Sequence, residues 1–166
     1  MATEISAERR AALIALTDRL RARQSLPLGI LAGFAAALAG AAAWAAVSFF
    51  TGFQIGYLAV GIGFVVGYAI RTVGGGFTRP FGIAGAVLSL LGCVLGNLAV
   101  VVAEVAKQSG IPFATVAARL GPGDAVELMR ESFQAMDLLF YGIAVYFGYK
   151  YSLRRITKEQ AAALPD

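Results

Sequence analysis

From Leu28 to Ile70 no charged side chain interrupts the chain, and the one break in the apolar pattern falls near Thr51-Gly52. A bilayer core about 30 Å thick is crossed by roughly 20 apolar helical residues. Leu28–Phe50 and Phe53–Ile70 therefore read as two membrane crossings joined by a tight turn, the second only just long enough. Arg71 to Pro80 contains Gly74-Gly75-Gly76 and two arginines, the pattern of a short, basic, flexible loop whose proline starts the next helix. A third crossing follows over Phe81–Ala106 and is closed by Lys107; a fourth runs from Asp137 to Leu153. The predicted fold is all-α: a polytopic membrane protein with four transmembrane helices in a compact bundle.

The flanking segments are patterned differently. Residues 1–25 place Ile5, Leu13, Leu16 and Leu20 at near-helical spacing among charges of both signs, which predicts an amphipathic helix lying on the membrane surface. Arg9-Arg10 has the look of an export signal, but Asp18, Arg19, Arg21 and Arg23 break the apolar run such a signal needs, so no cleavage is expected. The one long connection lies between crossings three and four and should be partly helical. Ile111-Pro112 opens a turn or short helix, Gly121-Pro122-Gly123 breaks it, and Asp124 with Glu127 marks a new helix start. Val126, Met129, Phe133 and Met136 would share one face of it. The predicted domains are an interfacial segment at 1–25, a membrane domain at 26–153 and a basic tail at 154–166.

Charge sets the expected orientation. Five arginines precede the first crossing, Arg71 and Arg79 flank the second loop, and Lys150, Arg154, Arg155 and Lys158 end the chain, whereas the Thr51-Gly52 turn has no cation. Cationic clusters stay on the cytoplasmic side, so both termini are expected there, in a bacterial inner membrane. The net charge of +4 is carried by residues beside membrane segments, where anionic head groups meet it. No nucleic-acid partner is expected; the bilayer is.

With 20 glycines in 166 residues, the crossings have smooth faces. Gly52, Gly56, Gly63 and Gly67 fall on one stripe of the second, and Gly82, Gly85, Ser89, Gly92 and Gly96 on one stripe of the third. Gly29, Gly33 and Gly40 make a weaker version in the first. Such stripes let helix backbones approach closely, either within one chain or between chains.

Polar groups in the crossings are few. Asn97 and Glu104 are seven residues apart on one helical face, and with Asp137 they form a candidate polar path. The rival reading makes Asn97 an interhelical hydrogen-bonding group and the two carboxylates helix-end groups. Tyr146, Tyr149 and Tyr151 beside Lys150 and Arg154 read as interfacial anchors. The chain has no His and a single Cys93, set in an apolar segment, so neither haem nor metal ligation nor a disulfide within the chain is expected. No phosphate-binding loop or nucleophile elbow is present. No cofactor and no enzymatic activity are expected.

Two stretches, Thr51-Gly-Phe-Gln-Ile-Gly-Tyr-Leu-Ala-Val-Gly-Ile-Gly-Phe-Val-Val-Gly-Tyr-Ala-Ile-Arg71 and Met136-Asp-Leu-Leu-Phe-Tyr-Gly-Ile-Ala-Val-Tyr-Phe-Gly-Tyr-Lys150, resemble a recurring group of small bacterial inner-membrane proteins with no settled function. The resemblance implies a glycine-rich, multi-helix membrane module. In some members it is joined to a cysteine-rich, zinc-ribbon-like segment that this chain lacks. The functional expectation is a structural or accessory subunit that packs with itself or with a larger membrane complex through its glycine faces. The alternative is a small channel or transporter using Asn97, Glu104 and Asp137.

Overall fold

A computed structural model of the chain describes residues 6–52, 56–157, 160, 162 and 163. Among them are seven helices and no strand: α1 (Ala7–Ala22), α2 (Leu26–Thr51), α3 (Tyr57–Gly74), α4 (Arg79–Ser109), α5 (Phe113–Arg119), α6 (Pro122–Ser132) and α7 (Ala135–Tyr151). Three of them, α2, α3 and α4, are long and apolar enough to cross a membrane. The 17 residues of α7 reach about 25 Å at 1.5 Å per residue, short of a full hydrocarbon core. Asp137 in its first turn and Lys150 near its last shorten the apolar run further.

Helix ends differ from the sequence expectation for local reasons. The second crossing was expected to stop at Ile70, but α3 continues through Arg71 to Gly74 and ends where Gly75 adopts φ +67°. The loop after it is correspondingly shorter. Phe53, the expected start of that crossing, lies outside the described residues, as do Ile5 and Lys158. Helix α4 starts two residues before Phe81, with Pro80 in its first turn, and runs past Lys107 to Ser109. The segment after it folds into α5 and α6, both resting on α4.

The N-terminal helix α1 is less two-sided than its leucines predict. At 100° per residue, Arg9 falls within the stripe of Leu13, Leu16 and Leu20, while the exposed Ile14 falls away from it, beside Arg10 and Arg21. It packs against no other helix among the described residues.

Helices α3 and α4 touch each other, and both touch α2 and α7, which do not touch one another. The contacts are made by small residues. Gly29, Gly33, Ala37, Ala41, Trp44 and Ser48 form the buried line of α2, four or three residues apart throughout. A β-carbon at Gly33 would stand 2.6 Å from Ile70 Cγ1 of α3 and 2.9 Å from Leu88 Cδ1 of α4. On the other side, Gly63 meets the Ala144 backbone of α7, Gly67 meets Gly148 and Tyr151, and Gly85 meets Gly148 and Ser152. Between lipid-facing helices there is no water-driven attraction, so this backbone proximity and the dispersion it permits hold the helices together.

One end of the molecule is tied by backbone hydrogen bonds. The Ser25 N–H donates to Gly74 O at 2.9 Å, and the Arg154 N–H donates to Gly76 O at 2.6 Å. Gln24 Oε1 accepts from the Phe77 N–H at 3.0 Å, the Thr78 N–H at 3.1 Å and the Thr78 hydroxyl at 3.0 Å. The start of α2, the end of α3, the start of α4 and the end of α7 therefore share one end, and each of these helices runs antiparallel to its neighbour in sequence among the four.

The seams predict a graded response. Gly63→Leu and Gly85→Leu place side chains into the α7 backbone and should lower unfolding stability by about 1–3 kcal/mol. Gly61→Leu meets open space and should stay within about 0.5 kcal/mol of wild type. Denaturant unfolding of the purified protein in mild detergent measures all three.

Candidate functional site

The deepest polar groups lie where α3, α4 and α7 meet. Asn97 is 0% exposed and Tyr141 6% exposed. Asn97 Nδ2 donates to Tyr141 Oη at 3.1 Å, and the Tyr141 hydroxyl donates to the Cys93 carbonyl at 3.3 Å. The Cys93 thiol in turn lies 3.8 Å from the Ala59 carbonyl of α3. This small network links three helices through one side-chain amide, one phenol and one thiol. The positions follow from helical spacing: Cys93 and Asn97 are one turn apart on α4, facing Tyr141 because Gly85, Ser89 and Gly92 let the helices close around that face.

The other members of the candidate path are not in this network. Glu104 is exposed and accepts from Gln108 Nε2 at 2.9 Å, one turn along its own helix. Seven-residue spacing does place it in line with Asn97, but the neighbouring helices cover α4 at Asn97 and leave it open at Glu104. Asp137 is 8% exposed, yet its Oδ2 accepts the Gln134 N–H at 2.9 Å. It thus closes the first turn of α7, where a carboxylate meets the positive end of the helix dipole. Asp124 does the same for α6 by accepting the Gly121 N–H at 3.0 Å. Asp137 thus caps α7 one turn before Tyr141, whereas Glu104 pairs with Gln108 on the exposed side of α4.

The glycine positions separate into packing and turn roles. Gly56 meets the Phe140 ring of α7, Gly82 the Tyr149 ring, Gly92 both Ile62 of α3 and Ala37 of α2, and Gly96 the Trp44 ring of α2. Ser89, fully buried, abuts Gly148. Gly52 is different: it has φ +71°, ends α2 and has open space where a side chain would stand. Its place on the stripe reflects spacing alone, and its role is to turn the chain.

The aromatic anchors also divide. Tyr146 is exposed, with Lys150 Nζ 5.3 Å from its ring centroid. Tyr149 covers Gly82, and Tyr151 packs edge-on against Phe64 at 4.7 Å and beside Phe147 at 5.6 Å. These two tyrosines hold α7 to its neighbours.

Sequence reasoning passed over two residues. Trp44 and Ser48 continue the buried line of α2, and Trp44 Nε1 and Ser48 Oγ have no hydrogen-bond partner among the described residues. Their spacing from Gly29, Gly33, Ala37 and Ala41 was the available signal. Near the same end of α2, Ala45, Ala46 and Phe49 face Ala103, Ala106 and Phe113 across an apolar groove of about 420 Å³, with Lys107 Nζ 5.7 Å from the Phe49 ring centroid. No group of three or more His, Cys, Asp or Glu placed to hold a metal occurs among the described residues.

Comparison of the chain with protein-family models, with curated proteins and with solved structures finds no match.

The network predicts a specific loss. Tyr141→Phe removes the hydroxyl that bridges Asn97 and Cys93 and should cost about 0.6–1.7 kcal/mol of unfolding stability. Glu104→Gln should change stability by less than about 0.5 kcal/mol. The same denaturant titration in detergent separates them.

Proposed function

We propose that the chain is a non-enzymatic structural or accessory subunit of a bacterial inner membrane, crossing it four times with both termini in the cytoplasm. The observation that carries this reading is the filled interior. Asn97, Cys93 and Ser89, the small polar groups deep in α4, are each 0% exposed, and Ile62, Val66 and Ile70 of α3 share one buried core cluster with Cys93. Conduction needs several polar groups facing an aqueous cavity, and this interior offers a three-residue knot instead.

Antiparallel packing beside α3 and α4 supports α7 as the fourth crossing. Its short apolar run is accommodated by local bilayer thinning and by the tyrosines and Lys150 at its end. Cations gather at the end shared by Arg23, Arg71, Arg79 and Arg154, which supports placing that end in the cytoplasm. The resemblance of the second and fourth crossings to small inner-membrane proteins agrees with the same location.

The glycine faces of α3 and α4 are occupied within the chain, so association with another subunit uses other surfaces. Helices α5 and α6 rest on α4 alone. They leave Phe113, Phe133 and Val126, the last 69% exposed, uncovered on the side opposite the cationic end. We assign contact with a larger membrane complex, or with a second copy, to this segment.

Two measurements test the reading. A reporter at either terminus should be cytoplasmic and a probe at Gly123 should be on the opposite side; termini on different sides would remove α7 as a crossing. Reconstituted wild-type protein should leave ion and proton flux at the level of empty vesicles. A selective conductance abolished by Glu104→Gln would replace the accessory reading with the channel one.

A further inference from the structure

Where α3 and α7 end, a cavity of about 550 Å³ opens between their last turns and the chain that follows α7. Its walls carry four cations: Arg71 from α3, Lys150 from α7, and Arg154 and Arg155 just beyond it. No acidic side chain lines it among the described residues, and none of the four cations makes an ion pair with a described acid. Like charges repel, so among the described residues contacts other than opposite charge bring them together.

The backbone does so. Gly67 lets α7 close on α3 at Gly148 and Tyr151, which sets Lys150 and Arg71 on one cavity. The Arg154 N–H donates to Gly76 O at 2.6 Å, and the Ser152 hydroxyl donates to Gly148 O at 2.6 Å, which fixes the path of the chain as it leaves α7. Ser152 itself is fully buried. Two of the cations are also steadied by aromatic rings: the Arg71 guanidinium lies 5.1 Å from the Tyr68 centroid, and Lys150 Nζ 5.3 Å from that of Tyr146.

The same cavity has an apolar side. Tyr151 and Leu153 line it, and Tyr151 leads through its edge-on contact with Phe64 to the exposed face of α3 that carries Phe64 and Tyr68. A ligand that fits both sides has a phosphate for the cations and an apolar body for the helix face. Inorganic phosphate has only the first of these.

We propose that this cavity is a binding site for the head group of an anionic phospholipid, drawn from the leaflet at this end of the molecule. Arg71, Lys150, Arg154 and Arg155 hold the phosphate by their converging positive charge and charge-assisted N–H donors. The acyl chains run along the Phe64 face of α3. The site is distinct from generic attraction of basic residues to a charged surface, because its cations converge on one cavity held by backbone contacts. It needs the ends of α3 and α7 at the membrane surface and is independent of any partner subunit.

The test uses the full-length protein reconstituted in phosphatidylcholine vesicles with a minor fraction of cardiolipin or phosphatidylglycerol, then extracted into neutral detergent. Lipid retained per protein is quantified by mass spectrometry. Wild type should keep the anionic lipid in preference to phosphatidylcholine. Arg71→Gln and Arg154→Gln should each lower that retention roughly fivefold. Arg79→Gln removes an equal charge from the same end but outside the cavity and should change retention less than about twofold. Arg71→Lys and Arg154→Lys keep the charge and should retain the lipid, which separates loss of the site from loss of the fold.

Equal losses in Arg79→Gln, equal losses in the Lys and Gln variants, or no preference for anionic lipid would each overturn the proposal. Displacement of the lipid by inorganic phosphate or glycerol phosphate at millimolar concentration would overturn the lipid assignment and make a soluble phosphate compound the ligand.

Discussion

Close approach of helix backbones is the constraint on which the rest of this molecule depends. In a bilayer the lipid tails are as apolar as the helices, so burial alone does not drive helix against helix. What remains is dispersion, which falls off steeply with distance, and hydrogen bonding. Gly63 against Ala144 and Gly85 against Gly148 bring α7 near enough for both. The line from Gly29 through Gly33, Ala37 and Ala41 does the same for α2. A larger side chain at these points would push a helix outward and uncouple everything beyond it.

The buried hydrogen bonds depend on that approach. Asn97, Tyr141, Cys93 and Ala59 belong to three different helices, and the bonds between them form only because the small residues nearby allow the helices to close. A buried amide without a partner would be costly in hydrocarbon, so the network fixes the rotation of α7 relative to α4 as well as their distance. Asn97, which the sequence offers as part of a polar path, is packed inside this network.

At the opposite end of α7 the same seam has an electrostatic consequence. Gly67, Gly76 and Gly148 hold the last turns of α3 and α7 and the chain after them in fixed relation, so four cations converge with no acid among the described residues that line the cavity. The repulsion is offset by backbone hydrogen bonds and aromatic contacts. It is relieved further by any anion that enters, and at a membrane surface the abundant anions are lipid head groups.

By itself the sequence determined the helical class, the order of the apolar segments and the small-residue stripes, because each depends on composition and on a 3.6-residue period that is local to the chain. It also placed helix starts near Asp124 and Asp137, but α6 and α7 begin two residues earlier, at Pro122 and Ala135. The reason is that each carboxylate caps from the third position, Asp124 accepting from Gly121 where the sequence pairs it with Glu127. The tertiary structure decided what periodicity cannot: which neighbour each stripe meets. Spacing aligned Glu104 with Asn97, but the reach of the neighbouring helices along α4 buried one and left the other open. Spacing likewise put Gly52 on a stripe, whereas its φ of +71° makes it a turn. Spacing also predicted a two-sided α1, and Arg9 in its leucine stripe weakens that pattern. The cationic cavity was the least legible feature, because Arg71 and Arg154 are 83 residues apart in the chain and meet only through the docking of α7 on α3. A helical period gives the direction in which a side chain points, and only the packed fold gives what stands there.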